Sequence, residues 1–343
     1  MTNIFFTVSG EHKTLPFAEI NAILESECLP YSRNKVFNRV LSLTSTLESA
    51  YLVACRSSLT KVCALELFRC DAEQNVIQRH MSEVSFKDHL KKGQSFSVRF
   101  TSFETSHIST LGLEREIGYM ISQKVPEAWV NLVDPDRCFI GFFTDSVLLF
   151  GVKIAEVSAK RFIERMPANR PFLHSSTMPP KLARCMVNLA RASSGCLVLD
   201  PFCGAGSILL EAGTVDCRVV GSDVNDLMVE GCSRNLEYFR IPFDGLIVGD
   251  ARKLPFKSVD CIVSDPPYGR ASSTHGISPL ELVSDFLLEA MAVLPRGGYL
   301  SLALPSDRDW KAVAMDLGYV FVDHHFVREH KSLTREILII KTT

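Results

Sequence analysis

The sequence predicts an α/β protein with a mostly parallel, doubly wound sheet in its C-terminal half, preceded by smaller α+β modules. Two observations carry this expectation. Beyond Pro180, short apolar runs alternate regularly with helical stretches, the pattern of strand–helix–strand units in a parallel sheet. Before it, the runs are less regular and mix both periodicities. A length of 343 residues suits two or three such units.

In the N-terminal part, Ile4 to Val8 and Tyr51 to Ala54 are apolar and read as strands, while Phe17 to Glu25 and Arg33 to Leu41 read as helices. Ser95 to Phe100 reads as a strand and Leu113 to Ser122 as a helix; Ala128 to Val133 and Ser146 to Ile154 are further strands. The breaker-rich stretch Met166-Pro167-Ala168-Asn169-Arg170-Pro171 reads as an interdomain linker. Pro179 and Pro180 then open a helix from Lys181 to Ala192, because proline suits a first turn. Cys196 to Asp200 is a buried strand and Ser207 to Gly213 the helix after it. Arg218 to Asp223 is a second strand and Leu227 to Phe239 a second helix. Leu246 to Val248 and Cys261 to Val263 are the third and fourth strands. Leu280 to Leu294 is an amphipathic helix, Tyr299 to Leu304 a fifth strand, and Val320 to His325 with Glu336 to Lys341 a terminal strand pair. The expected division is 1–58, 59–156, a linker over 157–173, and 174–343.

Composition excludes several classes. No run approaches the roughly 20 consecutive apolar residues of a membrane span, and Met1 to Thr7 lacks the basic and apolar regions of a signal peptide. The expected compartment is the cytoplasm. None of the eleven cysteines forms a C-x-x-C pair, so no metal site is expected and the thiols read as small buried hydrophobes. The net charge of −2 requires any nucleic-acid binding to use a local basic face.

Chemistry concentrates at strand ends, where open α/β sheets bind ligands. The first strand ends in Asp200-Pro201-Phe202-Cys203-Gly204-Ala205-Gly206-Ser207. Gly204 and Gly206 let backbone approach a ligand closely. The acid at Asp200 disfavours a pyrophosphate neighbour and suits a cation such as an ammonium or sulfonium, which favours a methyl donor over a dinucleotide. Asp223 ends the second strand, followed by Val224, and suits two ribose hydroxyls. Asp250, followed by Ala251, ends the third and suits an adenine amino group. Each acid alone reads equally well as a turn or a helix N-cap; three on successive strand ends build one rim of one crevice.

The fourth strand runs into Ser264-Asp265-Pro266-Pro267-Tyr268-Gly269. Prolines carry no N–H, but their carbonyls still accept hydrogen bonds. The Asp265 carboxylate and the Pro266 carbonyl would bind the two N–H groups of a planar amine, with Pro267 stiffening the turn and Tyr268 stacking on the base. Such an amine is a poor nucleophile, because its lone pair is delocalised. Orientation toward a sulfonium methyl carries much of the barrier, and a base within a stem would first be flipped out. A rigid strand-end turn is the competing reading.

These residues resemble the Rossmann-like class I methyltransferases, in particular the amino-methyltransferases with an (N/D)-P-P-(Y/F/W) motif. The resemblance implies a seven-stranded sheet whose last strand is antiparallel, S-adenosyl-L-methionine as cofactor, and contact of the stretch around Thr177 and Met178 with its methionine end. The N-terminal part resembles a THUMP domain preceded by a ferredoxin-like module. That likeness rests on Ser97-Val98-Arg99-Phe100, Leu113-Glu114-Arg115-Glu116-Ile117-Gly118, Val130 to Asp136 and Gly151-Val152-Lys153. Together the chain resembles the archaeal tRNA guanine-10 N2-methyltransferase family. This implies tRNA as partner, N2-methylguanosine or its dimethyl form as product, and, by analogy with eukaryotic relatives, a small zinc-binding activator subunit.

Arg115, Lys153, Lys160, Arg161, Arg165, Arg170 and Arg270 are the candidate RNA contacts, each equally a solvated surface charge. Three rivals stay open: an amine methyltransferase acting at another tRNA or rRNA position, on DNA adenine or on protein glutamine; a non-catalytic RNA-binding protein; and a dinucleotide oxidoreductase. The last lacks G-x-G-x-x-G, and a DNA enzyme would normally add a target-reading domain in place of a THUMP-like one.

Overall fold

The computed structural model describes residues 1–104, 108–174, 177–267, 278–330 and 333–343. The chain opens with β1 (Thr2–Val8), α1 (Leu15–Ser26), β2 (Ser32–Phe37), β3 (Val40–Ser45), α2 (Leu47–Arg56) and β4 (Thr60–Asp71). It continues through α3 (Gln74–Glu83), β5 (Ser95–Ser102), α4 (Thr110–Lys124), β6 (Trp129–Val130), β7 (Arg137–Thr144) and β8 (Val147–Glu156). Then come α5 (Lys160–Ile163), α6 (Pro180–Leu189), β9 (Leu197–Asp200), α7 (Ser207–Gly213), β10 (Arg218–Asp223), α8 (Asp226–Tyr238) and β11 (Gly245–Val248). Last are β12 (Cys261–Ser264), α9 (Pro279–Val293), β13 (Tyr299–Pro305), α10 (Trp310–Asp316), β14 (Val320–His330) and β15 (Leu333–Lys341).

Two compact units emerge. The first comprises residues 1–11, 29–55 and 60–157, the second residues 12–28, 56–59 and 158–343. The first is built on one eight-stranded mixed sheet, in the order β2-β3-β1-β4-β8-β7-β5-β6. The two modules expected on either side of residue 58 therefore share a single sheet. One face packs against α3 and α4 through a phenylalanine-rich core that includes Phe96, Phe139, Phe143 and Phe150. β2 stands at the edge and presents exposed Arg33 and Lys35, charges that discourage edge-to-edge pairing.

Two N-terminal elements differ from the sequence expectation. Arg33 to Leu41 forms the β2–β3 hairpin instead of a helix: Arg39 adopts φ +62° at the turn, which no helix tolerates. Tyr51 to Ala54 lies within helix α2, because the buried Ala50, Val53 and Ala54 recur at helical spacing.

The second unit carries a seven-stranded sheet in the order β11-β10-β9-β12-β13-β15-β14. β9 to β13 are mutually parallel, and β15 runs antiparallel between β13 and β14. β15 alternates faces: Ile337 and Ile339 join a core with α6, α7 and α8, while Leu338 and Ile340 join another with α9 and α10. A sheet covered by helices on both faces needs such apolar strands. All parallel strands end on one rim, and β15, running the other way, begins there.

Residues 12–28 and 56–59 belong to this second unit because Glu19 holds them. Glu19 is fully buried on α1. Its Oε1 accepts from the Ser58 amide (2.9 Å), the Ser58 hydroxyl (2.8 Å) and Asn188 Nδ2 on α6 (2.9 Å). Its Oε2 accepts from the Ser57 hydroxyl (2.7 Å) and the Leu59 amide (3.0 Å). Leu15, Ala22 and Leu59 complete the anchorage in the core. Removing the carboxylate strands several buried donors, each costing about 1–3 kcal/mol. Glu19→Ala is accordingly expected to lower unfolding stability by roughly 3 kcal/mol or more in urea titration. A loss under about 0.5 kcal/mol, as for an ordinary surface change, would show that the carboxylate is not the tie.

Candidate active site

The rim where the parallel strands end carries the expected acids. Asp200 closes β9, Asp223 closes β10, Asp250 follows β11 and Asp265 follows β12. The glycine loop after β9 turns sharply: the Cys203 amide donates to the Ser222 carbonyl (2.9 Å) and the Gly206 amide to the Cys203 carbonyl (2.8 Å). Gly206 has φ +81°, and a Cβ there would lie 2.7 Å from Cys232 Sγ on α8. Conformation and space both require glycine at that position.

Asp200 is almost wholly buried, accepting from the Ser264 hydroxyl (2.5 Å) and the Phe202 amide (3.1 Å). It therefore ties the end of β9 to the end of β12. Burial pushes its carboxyl up to about 7, with Asp223 and Asp265 adding in the same direction against the two hydrogen bonds. Asp223 is not the cap of α8; Asn225 is, accepting from the Leu227 amide. Asp223 instead receives the Gly204 amide on Oδ2 and the Asn225 amide on Oδ1, both at 3.0 Å. It thereby holds the glycine loop, and burial raises its carboxyl above the usual range. Asp250 is gripped by Arg252, whose Nη2 lies 2.7 Å from Oδ2 and whose Nε lies 3.1 Å from both oxygens. That hydrogen-bonded guanidinium keeps Asp250 below its ordinary value.

The remaining predicted cofactor residues are Val224, Ala251, Pro201, Phe202, Met178, Thr177 and Ser207, and Val248 joins them as an apolar side chain that the sequence reading does not name for this role. Val224 and Val248 are exposed apolar side chains beside Asp223 and Asp250. Ala251 and Pro201 are buried, and Phe202 packs edge-on against Phe286 at 5.4 Å. Met178 is buried, and the Thr177 hydroxyl donates to the His174 carbonyl (2.6 Å). Ser207 receives Arg170 Nη1 at 2.7 Å.

At the expected reacting centre, Pro266 is buried and Asp265 and Pro267 partly buried. Tyr268 and Arg270 lie outside the described residues. Asp265 Oδ2 sits 3.2 Å from Nη2 of Arg335, on β15. Sequence reasoning missed Arg335. The signal is topological: once the last strand is antiparallel, its first residues meet the carboxyl ends of the others. It also missed Asn235 on α8, which accepts from the Phe172 amide and donates to the carbonyls of Phe172 and Ala205. Asn235 thus fastens the segment before α6 to the glycine loop.

The proposed RNA-contacting arginines divide. Arg165 and Arg170 are buried, which removes them from the exposed linker the sequence suggested. Arg165 meets the fully buried Glu211 through Nε–Oε1 at 2.7 Å and Nη2–Oε2 at 3.0 Å, and Arg184 adds Nη2–Oε2 at 2.9 Å. A carboxylate with no solvent requires such partners. Burial draws the Arg170 and Arg184 guanidiniums down to about 10. Arg161 is partly buried and donates to the Ser57 carbonyl (2.6 Å). Arg115 and Lys160 are exposed, Lys160 lying 3.9 Å from Glu164, and Lys153 is partly buried, 3.0 Å from Glu156.

Known proteins share these features. Residues 167–336 match the family described as RMKL-like, methyltransferase domain, and residues 72–152 match the THUMP domain. The chain is 33% identical over 343 residues to a Methanothermobacter thermautotrophicus protein named tRNA (guanine(10)-N2)-dimethyltransferase, covering 97% of this chain and 98% of that one. It is 37% identical over 251 residues to a Pyrococcus abyssi protein of the same name, covering 72% of this chain and 74% of that one. The crystal structure of TrmN from Thermus thermophilus shares the fold over 99% of this chain and 100% of that one, with a TM-score of 0.56 at 20% identity. An acid-lined rim on a methyltransferase domain, a THUMP domain before it and 33% identity over nearly the whole chain to the Methanothermobacter thermautotrophicus relative agree: the chain is a methyltransferase and belongs to the tRNA (guanine(10)-N2)-dimethyltransferase family.

Proposed function

We propose that this enzyme transfers methyl groups from S-adenosylmethionine to the exocyclic N2 amine of guanosine 10 in tRNA, giving N2-methylguanosine and, with a second transfer, the dimethyl form. The observation that carries the reading is the run of Asp200, Asp223, Asp250 and Asp265 along one rim, the last directly before two prolines. The residues fit the cofactor. Gly204 leaves open space on the loop, Asp223 offers carboxylate oxygens for ribose hydroxyls, and exposed Val224 and Val248 offer apolar contact for a purine. Thr177 and Met178 would line the methionine end, and Asp250 and Ala251 the adenine end. S-adenosylmethionine supplies an electrophilic methyl group on a sulfonium.

The chain's residues do the rest. Asp265 and the Pro266 carbonyl bind the two amine hydrogens and aim the nitrogen, Pro267 fixes their spacing, and Tyr268 stacks on the flipped base. Asp200, held near its titration point, supplies negative charge where the cofactor is cationic. Residues 59–156 recruit the tRNA, with exposed Arg115 there and exposed Lys160 beyond them as phosphate contacts. Among the described residues no helix is long and apolar enough to cross a membrane, and we place the enzyme with its substrate in the cytoplasm. No observation supports a zinc-binding activator subunit.

The direct test is methyl transfer from labelled S-adenosylmethionine to unmodified tRNA transcripts, read by nucleoside analysis. N2-methylguanosine that vanishes when G10 is replaced is expected; methylation that persists without G10 assigns another position. Asp265→Ala should lower transfer by about 100-fold or more while cofactor affinity stays within about threefold. A fully active variant sinks the mechanism.

Asp223→Ala should weaken cofactor binding about tenfold or more in calorimetric titration, since hydrogen bonds to a charged group contribute roughly 1.5–3 kcal/mol each. Unchanged affinity would remove Asp223 from the ribose role.

The raised Asp200 carboxyl gives a pH signature. Below about pH 7 the group is protonated in the free protein, and a cationic ligand must displace that proton. Affinity should therefore rise with pH and level off above about 7, with Asp200→Asn flattening the profile. Without ligand the sign reverses: the folded protein holds a proton the unfolded chain lacks, so stability falls as pH rises from about 4 to about 7. A wild-type affinity profile as flat as the variant's would contradict the charge role.

A further inference from the structure

We infer that Arg335 is a positioning residue for the transfer: it fixes the plane and charge of the Asp265 carboxylate that receives the amine. The inference rests on the reading of Asp265 as amine acceptor proposed above, and it adds a residue from a strand outside the strand-end motifs.

The geometry follows from strand direction. β12 runs toward the rim and delivers Asp265 just past its end. β13 lies beside β12, and β15 beside β13, running back from the rim. Arg335 is the third residue of β15, and its register partners are Pro305, the last residue of β13, and Val327 on β14. It is held by strands on both sides, close to the rim. From there its side chain reaches Nη2–Oδ2 contact at 3.2 Å with Asp265. Both side chains are well covered, Arg335 being 10% and Asp265 18% exposed.

Coverage decides what this contact does. A fully exposed pair is screened and worth little. A covered guanidinium–carboxylate pair feels a lower effective dielectric, and the planar guanidinium orients its partner as well as neutralising it. Asp265 has opposition to overcome, because Asp200, from the end of β9, faces it with like charge. Arg335 brings the opposite charge from the β15 side, 3.2 Å from Oδ2. An ionised, oriented carboxylate is the form that accepts a hydrogen bond from the amine.

The proton balance is consistent with an accepting role alone. The nitrogen lone pair forms the N–C bond as the C–S bond breaks, and the sulfonium leaves as a neutral thioether. The nitrogen, cationic at that moment, then releases its proton to water. Asp265 need not be basic for this, and a carboxylate paired with a guanidinium is a weaker base but still an acceptor. Arg335 thus trades basicity for geometry.

The test is a double-mutant cycle in the full-length protein under single-turnover conditions, with enzyme in excess over unmodified tRNA so that slow variants stay measurable. Arg335→Gln should slow transfer by roughly 100-fold, the scale set by a displacement of about 1 Å at a reacting centre. Its cofactor dissociation constant and melting temperature should match the parent's. Arg335→Lys, which keeps charge but loses planarity, should recover about a tenth of the parent rate or more. In an Asp265→Asn background, Arg335→Gln should cost less than about threefold, because the carboxylate it orients is already gone. Should the Asn variant be inactive, the order Arg, Lys, Gln in rate at constant cofactor affinity and melting temperature decides. A Gln variant at the parent rate, equal losses in both backgrounds, or a loss matched by weaker cofactor binding or lower melting temperature overturns the inference. Full activity of Asp265→Ala, which removes the acceptor altogether, overturns the amine-acceptor reading instead.

Discussion

Four carboxylates lie on neighbouring strand ends, Asp200 between like charges from Asp223 and Asp265, and the rim of the parallel sheet is organised around accommodating them. The two outer acids are held by guanidiniums: Asp250 by Arg252, and Asp265 by Arg335. The two inner acids are held by neutral donors: Asp200 by the Ser264 hydroxyl and the Phe202 amide, Asp223 by the Gly204 and Asn225 amides. Burial lifts both inner acids, Asp200 to about 7, so the free site stays short of full negative charge. A ligand that brings positive charge restores those acids to their ionised form. On the proposed reading, this arrangement suits a cation at the centre of the rim, with acceptors held at its margins.

The charged rim stands on a rigid base. Gly206 makes its close approach to Cys232 Sγ only because no Cβ intervenes. Asn235 then binds backbone on both sides, at Phe172 and at Ala205, and the Phe172 ring lies over Gly231, where a Cβ would come within 2.2 Å. Beneath the loop, Arg165 and Arg184 share the buried carboxylate of Glu211, and Arg170 reaches Ser207 at the first turn of α7. Breaking one partner of such a network leaves an uncompensated buried charge, which costs about 3–5 kcal/mol. The glycine loop is thus fixed by polar contacts that resist repacking, and the acids keep their spacing.

The sequence revealed the parts of this architecture that are local. Strands of the C-terminal sheet were legible because full burial makes them short continuous apolar runs, as in Leu197–Asp200 and Cys261–Ser264. The acids were legible because strand ends are where such sheets bind ligands. What escaped was set by tertiary context. Arg33 to Leu41 carries charges compatible with an exposed helix, and only the turn at Arg39 makes it a hairpin. Arg165 and Arg170 resemble surface charges until Glu211 is seen to be buried. Glu19 looks like any polar residue of an amphipathic helix, yet its five hydrogen bonds assign residues 12–28 to the methyltransferase unit. Arg335 is 70 residues from Asp265 in sequence, and only strand order brings them together.

Strand order also bears on why position 265 is an acid rather than an amide. An asparagine has one oxygen to accept with, and its NH2 group can only donate. On the proposed reading, in which residue 265 faces both a guanidinium and an amine, that single oxygen would be shared and the NH2 would oppose one of two donors. A carboxylate has two oxygens and about four acceptor sites. It can meet the Arg335 guanidinium on Oδ2 and still have acceptor capacity for a planar amine. On that reading, an arginine at the start of the antiparallel strand favours aspartate over asparagine at position 265.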